Sequence, residues 1–284
     1  MSVKIVSDST CDLSKELIEK YNIEIIPLHV LLGEEEFEDG QNITPDEIYQ
    51  WSDENKATPK TSAPSITTVT DIFRKCTADG SEVVCFSVSD KMSTTGNVMR
   101  MTAEELELED KVFVIDSANL STGAGLLVLK AVDMARDGKN AKEIVEEMER
   151  LKPFVRASFV VDTLTFLHRG GRCSGVTALL GSTLRIHPRI DVIDGKMQPG
   201  KKYRGKMHKV IQNYVEEMKG ELEAARKKRV FITHSGCDEE AIRMVLKYLQ
   251  SMMIFSEIII SRAGGVISSH CGPGTLGVLF IAEK

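Results

Sequence analysis

Through the first half of the chain, short apolar runs alternate with segments that carry helix-start signals. Lys4–Ser7 reads as a buried strand. Asp12 is placed to cap a helix running to about Tyr21, with Asn22 closing it. Ile23–Leu32 reads as a second strand. Thr44-Pro45-Asp46-Glu47 combines a threonine cap, a proline in the first turn and a glutamate three residues on, the pattern of a capping box. Ser65 caps a further helix. Glu82–Val88 and Lys111–Ile115 read as strands, Gly123–Asp137 as a helix, and Asn140-Ala141-Lys142-Glu143 starts another. Short strands separated by helices require crossover connections, so this half is expected to form a mostly parallel sheet flanked by helices.

The second half has a different texture. Arg156–Val161 reads as a strand, followed by a short helix ending at Gly170-Gly171. Ile190–Ile193, the turn Asp194-Gly195 and Lys196-Met197 form a hairpin pattern. A long helix over about Lys206–Arg226, strand Arg229–His234, helix Glu239–Leu249 and strands Glu257–Ser261 and Leu276–Ala282 follow. Hairpins mixed with helices indicate a smaller α+β domain with a mixed sheet. The boundary falls near Pro153, giving an N-terminal α/β domain over 1–155 and a C-terminal domain over 156–284.

The 284 residues carry a net charge of −6, which argues against the basic stripe of a nucleic-acid-binding surface. No apolar run approaches the roughly 20 residues that span a bilayer. Met1–Asp8 goes straight into a strand pattern without the features of a secretory signal, so the cytoplasm is the expected location. The six cysteines are scattered and are expected to be reduced. No phosphate-binding glycine loop, nucleophile elbow or zinc-type histidine pair occurs, and no metal site or cofactor is expected.

Ligands of open α/β sheets sit beyond the carboxyl ends of the strands. Hydroxyl-rich segments fall there: Ser7-Asp8-Ser9-Thr10, Lys60-Thr61-Ser62-Ala63-Pro64-Ser65, Ser89–Gly96 and Asp116-Ser117. Any one of these hydroxyls is explained by helix capping and turns; their concentration at several strand ends points to an anion or carboxylate site. Ser93-Thr94-Thr95 just before Gly96 is the most suggestive group. In Gly264–Gly274, two glycine clusters flank His270, which indicates an unusual backbone presenting a histidine to a carboxylate, or a histidine satisfied inside a tight turn. Arg169-Gly170-Gly171-Arg172 reads first as a basic helix end and second as an anion site. Lys201, Lys202, Arg204 and Lys206 form a cationic cluster with no obvious internal partner, explained either as a solvated face or as a surface for a partner.

Taken together and in order, Ser7-Asp8-Ser9-Thr10, Lys60-Thr61-Ser62, Met92-Ser93, Val114-Ile115-Asp116-Ser117, Leu167-His168-Arg169-Gly170-Gly171-Arg172 and His270-Cys271-Gly272-Pro273-Gly274 resemble the DegV family over essentially the whole chain. The resemblance implies two domains with a long-chain fatty acid between them. It implies a carrier without its own active site, serving a separate ATP-dependent fatty acid kinase that makes acyl phosphate for phospholipid synthesis. It leaves room for transient membrane contact. By matching positions, Thr61 and Ser93, with Thr94 beside them, would hold the carboxylate and His270 would complete the hydrogen-bond set. Arg204, with Lys202 and Lys201, would face the kinase. Ala63 stands where the family commonly has Gln, and Thr94 where Gly often follows the serine. The rival reading is an enzyme, either phosphotransferase-related or a serine hydrolase pairing Ser93 with His270, which needs a third group to orient the histidine.

Overall fold

The fold was analysed in a computed structural model that describes residues 2–173, 175–179 and 186–283. The first half runs β1 (Val3–Asp8), α1 (Lys15–Tyr21), β2 (Glu24–Ile26), β3 (His29–Leu32), β4 (Glu35–Glu38), α2 (Pro45–Asn55), β5 (Lys60–Ser62), α3 (Ile66–Thr77), β6 (Glu82–Ser87), α4 (Thr95–Glu105), β7 (Val112–Asp116), α5 (Ser121–Arg136) and α6 (Ala141–Leu151). The second half runs β8 (Val155–Val160), α7 (Thr165–Gly170), β9 (Ile186–Ile193), β10 (Lys196–Arg204), α8 (Met207–Glu217), α9 (Lys219–Glu223), β11 (Ala225–Ser235), α10 (Glu239–Met252), β12 (Glu257–Arg262), α11 (Gly265–Cys271) and β13 (Thr275–Ala282).

The result is a mixed α/β fold with the expected parallel sheet, in the order β2-β1-β6-β7. Its strands alternate sides, so neighbouring residues feed two cores. Ile5, Val84, Phe86 and Ile115 pack toward α5 and α6, whereas Val6, Val83 and Cys85 pack toward α3 and α4. The six-stranded sheet, β10-β9-β8-β13-β11-β12, is mixed: β11 and β12 are parallel and its other pairings antiparallel. One face carries α8 and α10 through Val210, Tyr214, Ile232 and Phe280. The other meets α5 through Ala157, Phe231 and Leu279. Helix α5 therefore lies between the two sheets, and Ser121–Leu129 is buried on all sides, as an apolar helix with no solvent stripe must be.

Local signals held where their partners are local. The capping boxes at Thr44 and Asn140 form, and Ser65 caps α3. Asn22 ends α1 in the left-handed conformation. Asp194 and Gly195 both have positive φ, as a two-residue hairpin turn of the primed type requires.

Four expectations are corrected. Asp12 does not cap α1; Ser14 does, accepting from the Leu17 amide at 3.3 Å. Ile23–Leu32 is two strands in different sheets, β2 and β3, because Pro27 has no N–H to continue the ladder. β3 instead pairs antiparallel with β4 and β5, a third sheet that was not anticipated. The helix expected over Lys206–Arg226 is divided into α8 and α9; Gly220 lowers helix propensity there, and Arg226 already belongs to β11. Finally, Gly264–Gly274 is not an irregular turn: most of it is helix α11, with positive φ only at Gly272 and Gly274.

Candidate functional site

In the parallel sheet the chain leaves β1 toward β2 on one side and later crosses to β6 on the other. Crevices at such reversals, outside the strand carboxyl ends, are where open α/β sheets hold ligands. Here the crevice opens between Asp8 and Val88, whose amide donates to the Asp8 carboxylate at 2.7 Å. A cavity of about 490 Å³ lies above it, and it is also walled by the six-stranded sheet and α11. That volume is in the usual range for a small-molecule site.

Thr61, Ser93, Thr94 and His270, separated by as much as 209 residues in sequence, all line this one cavity. Thr61 is brought in by β5, the edge of the three-stranded sheet. Ser93 and Thr94 stand in the loop before α4, where Ser93 Oγ meets Thr95 Oγ1 at 2.8 Å and no side chain caps the helix. Gly96 allows that loop to close: a Cβ there would lie 2.3 Å from the Asp90 carboxylate and 2.6 Å from Ser87 Oγ. His270 is in the last turn of α11, with Nε2 at 2.8 Å from Thr61 Oγ1.

The imidazole is held neutral. Burial, and secondarily the Arg172 guanidinium, lower its pKa from 6.5 to about 4. Its Nδ1 is buried without a hydrogen-bond partner, and a Cβ on Gly170 would approach that atom to 2.5 Å. An unpaired lone pair costs less than an unpaired N–H, so the hydrogen pattern assigns the proton to Nε2. His270 then donates to Thr61, which leaves the Thr61 hydroxyl hydrogen free for a ligand.

The rest of the lining is chemically different. Leu28, Val88, Leu120, Phe159, Leu167, Met197 and Leu279 supply an apolar wall. Five of the hydroxyls among them are already engaged with protein: Thr10 with Asp8, Ser121 with Asp12, Thr233 with Thr122, Ser235 with the Gly272 carbonyl and Thr275 with the Cys271 carbonyl. The cavity thus combines an apolar wall with the Thr61–His270 pair and the Ser93–Thr94 loop, a lining suited to an amphiphile with a small anionic head.

Two cations border it, Lys91 and Arg172. Lys91 donates to the Asp194 carbonyl and Arg172 to the Gly170 carbonyl, each at 2.7 Å, and neither has a carboxylate partner among the described residues. Lys91 was not singled out as a ligand contact from sequence, and Arg172 was so only in the second reading of its turn. The Arg169–Arg172 turn does end α7, with Gly171 in the left-handed conformation, yet Arg172 also reaches the cavity.

The cationic cluster is elsewhere. Lys201, Lys202 and Arg204 lie on β10, at the edge of the six-stranded sheet, and do not line the cavity. Lys201 has an internal partner after all, Glu217 at 2.7 Å, while Lys202 and Arg204 are exposed. The pairing demanded by nucleophilic use of Ser93 is not formed: His270 bonds Thr61, Ser93 bonds Thr95, and among the described residues no acid bonds His270 Nδ1. No group of metal-ligating side chains occurs among the described residues, and no helix among them is long and apolar enough to cross a membrane.

Comparison with known proteins places this arrangement. A family model described as "Uncharacterised protein, DegV family" matches residues 2–283. A DegV domain-containing protein of Deinococcus radiodurans is 31% identical over 279 residues, covering 98% of both chains. The chain belongs to the DegV family. Among solved structures, a DegV family protein from Thermus thermophilus, described for its fatty acid binding, superposes with a TM-score of 0.91 at 32% identity, covering 99% of this chain and 100% of that one. A stearic acid-binding protein from Eubacterium ventriosum gives 0.85, also at 32% identity, over 99% of this chain and 98% of its own. DegV relatives thus share the whole architecture, including the sheets that wall the cavity.

Proposed function

We propose that this DegV protein binds a long-chain fatty acid in the cavity at the β1/β6 crevice and presents it to a separate ATP-dependent kinase. The observation that carries the reading is one cavity lined by apolar side chains together with Thr61, Ser93 and His270. The solved relatives described as fatty acid binding support it. Burying about a dozen methylenes contributes on the order of 10 kcal/mol before ordering costs, so the tail supplies affinity. The head-group hydroxyls supply orientation, each charge-assisted bond being worth about 1.5–3 kcal/mol.

In this account Thr61 and Ser93 donate to the carboxylate, Thr94 lies beside it, and His270 fixes the Thr61 hydroxyl. The protein is a carrier of the cytoplasm without a cofactor, divided at 155/156 into two domains that share the core around α5. The kinase phosphorylates the bound acid to acyl phosphate for phospholipid synthesis. Arg204, with Lys202 and a smaller share from Lys201, faces that kinase, and membrane contact is transient. Native mass spectrometry of freshly purified protein tests the binding step. A fatty acid adduct at one per chain is expected; a protein that is empty and also fails to take up palmitate contradicts it. Acyl phosphate formation on adding the kinase and ATP tests the presentation step.

A further inference from the structure

Asp8, Asp12 and Asp39 are between 1% and 4% exposed, and none of them has a cation against it among the described residues. Burial pushes all three upward, Asp8 to about 6, and Asp39 repels the other two. Buried acids without counter-charges are costly, so their position calls for a use.

Two of them hold the start of α11. Asp12 accepts from the Gly264 amide at 2.8 Å and from Ser121 Oγ at 2.5 Å. Asp39 accepts from the Gly265 amide at 2.6 Å through Oδ1, with Ser9 and the Val266 amide nearby and its Oδ2 buried without a hydrogen-bond partner among the described residues. The N-cap residue of α11 is Gly264, which has no side chain, so its own amide and that of Gly265 are satisfied by two carboxylates of the N-terminal half. This accounts for the first glycine pair. A Cβ on Gly265 would lie 2.9 Å from both the Asp39 carboxylate and Ile48 Cδ1.

The other end of the same short helix carries His270. At about 1.5 Å per residue, Gly265 and His270 are roughly 8 Å apart along the axis. A rigid rod of that length transfers any shift at its anchored end to the imidazole. The ring has little slack, with Thr61 at one nitrogen and the Gly170 backbone against the other.

We propose that Asp39, together with Asp12, is a positioning residue for the head-group site, anchoring the start of α11 so that His270 meets Thr61 at hydrogen-bonding distance. This rests on the reading of Thr61 and His270 as head-group residues. The carboxylates then serve function at some expense of stability, a familiar trade at binding sites.

The test compares Asp39→Ala, Asp39→Asn and Gly265→Ala in the full chain. Asp39→Asn keeps an acceptor for Gly265 and removes the buried charge. Palmitate Kd is measured by calorimetry, Tm by thermal unfolding, and the ¹⁵N shifts of the His270 ring by NMR on ligand-free protein. Asp39→Ala and Gly265→Ala are expected to weaken palmitate by about tenfold or more, the scale of a lost charge-assisted hydrogen bond, and to move the His270 shifts. Asp39→Asn is expected to keep affinity within about threefold, leave the ring shifts in place, and raise Tm or leave it unchanged. Should Asp39→Ala fail to fold, Gly265→Ala and Asp39→Asn carry the same comparison. Unmoved ring shifts in the alanine variants, or affinity losses in all three that track a fall in Tm, overturn the proposal. Because the ring shifts are read without ligand, failure of wild-type protein to bind palmitate sinks the fatty acid reading and leaves this test standing.

Discussion

Two cavities lie side by side in this molecule, both bordered by Lys91. The second, about 650 Å³, is larger than the first at about 490 Å³. It sits between the ends of β6 and β7 and the strands β8 and β9, and its walls carry Lys152, Arg156, Arg189, Asp116 and Asp191. Those groups largely satisfy one another or near neighbours. Arg189 bonds Asp191 and Glu221, Lys152 bonds Glu149, and Asp116 accepts from the Asp90 and Ala118 amides. In the first cavity the pattern is reversed: the wall is largely apolar, Thr10, Ser121, Thr233, Ser235 and Thr275 are engaged with protein, and donor capacity is left at Thr61 and Ser93. Space alone does not select a ligand. Hydrogen-bonding capacity left over beside apolar surface does, and only the first cavity offers it to an amphiphile.

The strongest way to break that comparison is to remove the two donors. Thr61→Ala with Ser93→Ala is expected to weaken palmitate about 100-fold in calorimetry, two charge-assisted hydrogen bonds' worth, with Tm little changed. Arg156→Ala in the second cavity should shift it by less than about twofold, since among the described residues its guanidinium bonds only the Pro153 carbonyl. Equal effects from the two cavities would erase the distinction.

His270→Ala is expected next, at about tenfold in affinity, and with a larger loss in kinase-dependent acyl phosphate formation, where charge grows on the head group. Equal losses in binding and turnover would assign the ring to binding alone. The neutral ring also leaves a pH signature. Its pKa is lowered to about 4, so between there and 6.5 the unfolded chain binds more protons than the folded one. Stability from the neutral ring is complete above pH 6.5 and is lost as pH falls toward 4, on the order of 3 kcal/mol. The Tm of wild type relative to His270→Gln should therefore drop between pH 7 and 4.5. Asp8 acts in the opposite sense: its pKa is raised to about 6, so as pH falls through 6 toward 3.8 the folded state takes up the proton first and gains stability. That gain is common to both proteins and cancels in the comparison.

The smallest effect concerns β10. Arg204→Ala should leave palmitate affinity unchanged and slow phosphorylation at low carrier concentration by about threefold, with a weaker dependence on salt than wild type. Unaltered kinetics would leave these cations as guards of an edge strand, the ordinary use of lysine at such places. Lys201, tied to Glu217, should matter least.

What was legible in the sequence was local. Thr44 with Glu47 and Asn140 with Glu143 satisfy each other within one helical turn, so both caps were readable. Asp12 was misread as a cap because its partners, Ser121 and Gly264, are 109 and 252 residues away. The third sheet escaped because Thr61 pairs with Val30 across two intervening elements, although Pro27 marked the break. Helix α11 was hidden by its glycines, which are there for close approach to Asp39 and not to break the helix. Thr61, Ser93, Thr94 and His270 were proposed from hydroxyl-rich strand ends, the glycine-flanked histidine and family resemblance, and they line one cavity. Arg172 was read first as part of a helix end and only second as part of an anion site, and nothing in its neighbours along the chain indicates that it stands near His270.

The central claim is that this cavity holds an acyl chain by its body and a carboxylate by its end. Calorimetric titration of delipidated protein with palmitate and with its methyl ester tests both halves at once. Palmitate is expected to bind at one per chain, and the ester, which keeps the tail and loses the charge, to bind about 30-fold more weakly. No saturable binding of either ligand, or equal affinity for acid and ester, would contradict the account.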